Sequence, residues 1–78
     1  MILIETHPGR WAVRDTPNAP ARAIITESAN ADRPVFRAAE WHLVASDRYL
    51  IGEYPTLESA FSAVIAFVAR SHGMRSSA

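Results

Sequence analysis

The chain has 78 residues and contains no cysteine, lysine or glutamine, which excludes disulfides, thiolate metal ligation, thiol nucleophiles and Schiff-base lysine chemistry. Eight arginines balance eight acidic residues, and this formal net charge of +0 counts against a dedicated nucleic-acid binder, whose affinity comes mostly from phosphate neutralisation. Fourteen alanines, with arginine as the sole basic residue type, point to a GC-rich bacterial genome or a phage or plasmid living in one.

Taken in chain order, residues 2–5 read as a strand closed by the His7-Pro8-Gly9 turn. Residues 11–15, running Trp, Ala, Val, Arg and Asp, read as a half-buried strand. Residues 16–20, with Pro17, Asn18 and Pro20, form a loop. Residues 22–27 favour strand through Ile24, Ile25 and Thr26, and residues 28–32 are a small polar connection. Residues 33–46 read two ways. Val35, Phe36, Trp41, Leu43 and Val44 suit strands, whereas Arg37-Ala38-Ala39-Glu40 prefers helix, with Asp32 as a cap and Pro34 in a first turn. A strand over 41–45 is favoured, because Ser46-Asp47-Arg48 then turns into a partner strand over 49–54. Within that partner, Gly52 marks a bulge or a close approach.

The last element is the plainest. Leu57, Ala60, Phe61, Val64, Ile65 and Val68 recur at helical spacing and form one apolar stripe. Thr56 is a natural N-cap, and Glu58 lies where the helix dipole favours an anion. Arg70 and His72 fall in the last turn, with Gly73 as the C′ residue, so a helix is expected over 57–71.

These elements imply an α+β fold: a small antiparallel sheet of four or five strands, in β-β-β-β-α order, packed on one C-terminal helix. Residues 1–73 form a single domain and 74–78 a frayed tail. A chain this short buries roughly 60% of its unfolded surface, so a well-filled core or a second subunit must stabilise it. Low net charge removes one barrier to self-association. No charged n-region or long apolar h-region opens the chain, and the apolar stretch at 63–69 is far short of the roughly 20 residues of a membrane span. A cytoplasmic location is expected.

The run Trp41-His42-Leu43-Val44, Tyr49-Leu50-Ile51-Gly52-Glu53-Tyr54, Pro55-Thr56-Leu57-Glu58-Ser59-Ala60 resembles the close of several small β-β-β-α modules, among them the AP2-like arm-site domains of phage integrases. The resemblance covers about the last forty residues and is structural. It implies a sheet followed by a packing helix. That family reads DNA with side chains on its sheet and usually carries a basic excess, which this chain lacks. No functional residue is carried over from it.

Little in the chain suggests catalysis. His7, His42 and His72 are not at metal-ligand spacing, and no Gly-x-Ser-x-Gly elbow or Gly-rich phosphate loop is present. No catalytic residue, metal ligand or cofactor is assigned. Glu40 and His42, at i and i+2, are the one pair able to share a proton or a metal, and they read more simply as a surface pair on a sheet. Arg14, Arg22, Arg37 and Arg48 fall one per strand segment. With Trp11, Trp41 and Tyr49 they are candidates for an anion- or nucleic-acid-binding face. The competing reading is a ladder of arginines paired with Asp15, Glu27, Glu40 and Glu53.

The far side of the helix is unusually smooth. Ser59, Ser62, Ala63, Ala66, Phe67 and Arg70 are candidates for contact with a partner protein or a second copy. Either tryptophan, if exposed, would anchor such a contact. The expectation is therefore a non-enzymatic interaction module that binds a protein partner by steric occlusion. Phage and mobile elements use inhibitors and accessory proteins of this kind, and a homodimer is one form of the partnership. The alternative is a nucleic-acid-binding module with an arginine-bearing sheet face. No membrane partner is expected.

Overall fold

The computed structural model describes residues 1–30, 32–42 and 48–76. Five strands precede one helix: β1 (Ile2–His7), β2 (Arg10–Arg14), β3 (Ala21–Asn30), β4 (Arg33–Glu40), β5 (Leu50–Tyr54) and α1 (Leu57–Ser76). Every neighbouring pair is antiparallel and the spatial order β1-β2-β3-β4-β5 repeats the chain order, so the sheet is an open meander. The α+β class read from the sequence holds.

The turns follow from their residues. Pro8 fixes its own φ, and Gly9 takes φ 80°, the pairing that a type II turn requires between β1 and β2. Between β2 and β3 the loop is tied three ways. The Ala19 amide donates to the Thr16 carbonyl at 3.1 Å, Arg14 donates to the Ala19 carbonyl, and Arg22 pairs with Asp15. The helix opens on a reciprocal cap. The Ser59 amide donates to Thr56 Oγ1 at 3.0 Å and the Thr56 amide donates to Ser59 Oγ at 3.3 Å.

The structure corrects the sequence in five places. The connection expected at 28–32 is strand as far as Asn30, because Ser28, Ala29 and Asn30 pair with Val35, Pro34 and Arg33 of β4. The fourth strand is residues 33–40, one segment earlier than the favoured 41–45. Of that favoured strand, Trp41 and His42 follow the end of β4, and 43–45 lie outside the described residues. Arg37-Ala38-Ala39-Glu40 is strand despite its helical preference, because β3 pairs along one side of it and β5 along the other. The helix runs on through Gly73 to Ser76. One glycine costs about 1 kcal/mol in a helix, no proline follows it, and Met74 and Arg75 are good helix formers. Ile65 leaves the buried stripe and is 43% exposed, because it follows Val64 and is turned about 100° from it around the axis.

α1 packs against β5, β4 and β3. Val13, Ala23, Ile25, Ala38, Ala60 and Val64 are fully buried and form the core, edged by Trp11, Phe36, Tyr54, Leu57, Phe61 and Val68. Three of the six buried residues are alanine, and their small side chains let the helix axis come close to the sheet. Trp11 is half-buried, its ring 5.9 Å from that of Phe36.

Candidate anion-binding face

Strand register decides which side chains face the helix and which face away. Leu3, Val13, Ala23 and Glu40 are successive partners across four strands, as are Trp11, Ile25, Ala38 and Gly52. Both rows belong to the covered face, since Val13, Ala23, Ile25 and Ala38 are the core. Alternation then sends their neighbours to the opposite side. There, Ile4, Ala12, Ile24, Ala39 and Leu50 form one row, and Arg10, Thr26, Arg37 and Glu53 form the next.

The same parity sorts the charges. Arg10, Arg14, Arg33 and Arg37 all fall on the open side, whereas Glu5, Glu27 and Glu40 fall on the helix side, opposite Trp11, Phe36 and Ala23 respectively. Glu53 is the one carboxylate at a ladder position on the open side among the described residues. It accepts from Arg37 Nε at 3.0 Å and Nη2 at 2.8 Å. Arg22 is the extra residue of the bulge where β2 meets β3, and it donates to Asp15 Oδ2 from Nε at 2.9 Å and Nη2 at 2.6 Å. A chain with no net charge thus has an arginine-rich face.

Two adjoining depressions open on that face. One, of about 410 Å³, is lined by Arg10, Arg14, Ala12, Ile24 and Trp41 together with Thr6, His7, Pro20 and Ala21. The other, of about 220 Å³, is lined by Arg10, Arg37 and Arg48 with Ile24, Thr26, Ala39 and Trp41. Trp41 therefore borders both. Its amide donates to the Arg22 carbonyl at 3.0 Å, which continues the β3–β4 ladder one residue past β4 and fixes where the ring falls. The Arg48 guanidinium lies 3.9 Å from the centroid of that ring and donates through Nε to the His42 carbonyl at 3.0 Å. The Arg10 carbonyl accepts from Thr6 Oγ1 at 3.3 Å, and its guanidinium makes no hydrogen bond or ion pair among the described residues.

The seven residues proposed from sequence for this face divide. Arg14, Arg37, Arg48 and Trp41 come together on it. Arg22 is turned to Asp15, Trp11 is on the helix side against Phe36, and Tyr49 stacks on Phe67 with ring centroids 5.6 Å apart. Arg10 was missed, although the alternation of Arg10-Trp11-Ala12-Val13-Arg14 sets both arginines on one side of β2.

The helix candidates are partly spent within the chain. Phe67 lies outside the buried cluster with its ring stacked on that of the exposed Tyr49, and Ser59 completes the cap with Thr56. Ala63 is half-buried, while Ser62, Ala66 and Arg70 are exposed. Glu40 and His42 meet at 3.0 Å as an exposed pair, with no third metal-ligating side chain beside them among the described residues. Among the same residues no helix is long and apolar enough to cross a membrane.

The open face offers arginine donors, one aromatic ring and an apolar floor, a set suited to holding an anion beside a flat apolar group. Compared with models of protein families, with curated proteins and with solved structures, the chain finds no match in any of the three.

Proposed function

We propose that this chain is a non-enzymatic binding module that holds nucleic acid on its open sheet face. The observation that carries the reading is the segregation of charge by strand parity, with Arg10, Arg14, Arg37 and Arg48 around two joined depressions and a single in-strand carboxylate beside them. Zero net charge argued against this class only while the charges were taken as evenly mixed. The local field at a face, not the net charge, attracts phosphate. The helix face has a weaker claim on a partner, since Phe67 and Ser59 are already engaged.

The test is a titration with mixed-sequence DNA and RNA at low and high salt. Four single-strand phosphate contacts predict a log–log salt slope of about −3, a loss of roughly 50-fold between 50 and 200 mM. The double variant Arg10→Ala/Arg14→Ala should weaken binding and flatten that slope while the fold is kept. No binding at low salt would overturn the reading, as would binding indifferent to both salt and the two arginines.

A further inference from the structure

We infer that the open face takes a single strand, with a base stacked at the Trp41–Arg48 step, in preference to a duplex. This rests on the nucleic-acid reading above and narrows it.

Width is the first argument. Five strands spaced about 4.8 Å apart span roughly 19 Å between the outer backbones, before any side chain is added. The major groove of B-DNA is about 12 Å wide and admits a helix or a two-stranded ribbon. A face of this breadth cannot enter it, and the one helix of the fold packs on the opposite side.

The floor is the second argument. Between the arginine-bearing positions runs the apolar row Ile4, Ala12, Ile24, Ala39 and Leu50, with Leu50 50% exposed. A duplex turns phosphates and groove edges outward and keeps its base planes inside, so it has nothing to bury such a row. An unpaired strand lays its bases flat and satisfies both the row and the arginines.

The third argument is the Trp41–Arg48 step. With the guanidinium carbon already 3.9 Å from the ring centroid, the pair is a preformed platform at the boundary of the two depressions. Bases stack on aromatic rings and on guanidinium planes alike, largely without regard to sequence. Preformation removes part of the ordering cost of binding.

The tryptophans make the test direct, because they lie on opposite faces. In a Trp11→Phe chain, Trp41 is the sole tryptophan and reports on the open face. Four probes of equal phosphate count are titrated at low salt: a DNA strand, an RNA strand, the DNA duplex and a fully abasic strand. The expected result is quenching of Trp41 by the base-bearing strands and roughly tenfold tighter binding of them than of the duplex or the abasic strand. Trp41→Ala should remove about that factor for the base-bearing strands and leave the abasic strand unchanged, and Trp41→Phe should restore most of it. If all four probes bind alike, the stacked single strand is wrong while the arginine face stands. If none binds, both fall. The abasic comparison needs no change at Trp41, so it decides the matter even if Trp41→Ala fails to fold.

Discussion

The two faces of the sheet are built from adjacent residues and yet obey different rules. Ile25 is buried under the helix, while Ile24, one position away, is only half-buried on the open side. On the covered side small residues decide the geometry, with Ala23 and Ala38 in the sheet meeting Ala60 in the helix, and the carboxylates of Glu5, Glu27 and Glu40 share that side. On the open side long side chains decide it, and Ala12 is buried on the floor of a depression walled by Arg10, Arg14 and Trp41. A face closed by its own helix is shaped by fit. One left open is shaped by reach, and its chemistry is what remains for a ligand.

The sharpest way to break this contrast is to truncate the two isoleucines separately. Ile25→Ala should cost about 2–5 kcal/mol, most of the stability of a domain this small, whereas Ile24→Ala should cost well under half of that. Urea denaturation of both variants measures the difference. Equal losses would mean that the open face is as tightly packed as the covered one. A smaller effect is expected at Gly52. A methyl group built there would lie 2.6 Å from Tyr54 Oη and 2.9 Å from Cζ, so the Tyr54 ring must shift at the core edge. Gly52→Ala should cost roughly 1–3 kcal/mol in the same measurement, with no change in the residues of the open face. A neutral result would show that the ring moves freely.

Much of the covered face was legible in the sequence, because helical spacing and the Thr56 cap announce α1 without tertiary help. The fourth strand was not. Its alanines and glutamate favour helix locally, and what makes them strand is pairing on both edges, which no local pattern contains. The candidate site was legible in part for a related reason. Parity within one strand is visible in the sequence, and Arg10 and Arg14 could have been grouped by it. Parity between strands depends on register and bulges. The extra residue at Arg22 therefore turned one expected member of the face toward Asp15, and the β4 alternation carried one residue past Glu40 put Trp41 on the side opposite Trp11.

The finest probe of the contrast is Glu53, the in-strand carboxylate on the arginine side. An exposed pair such as Arg37–Glu53, with side chains 60% and 48% exposed, contributes about 0–1 kcal/mol to stability, so Glu53→Gln should leave the denaturation midpoint nearly unchanged. Its effect on binding depends on what the carboxylate does there. If it masks Arg37, only three arginines are free to meet phosphate in the unsubstituted chain, and the substitution frees the fourth, raises oligonucleotide affinity by roughly two- to fivefold and steepens the salt slope from about −2 to about −3. If affinity falls instead, Glu53 holds Arg37 in the orientation that phosphate needs, through the two hydrogen bonds from Nε and Nη2 to one oxygen. The acid that looks like an exception to the segregation would then belong to the site, and the division between the faces would be complete in function as well as in charge.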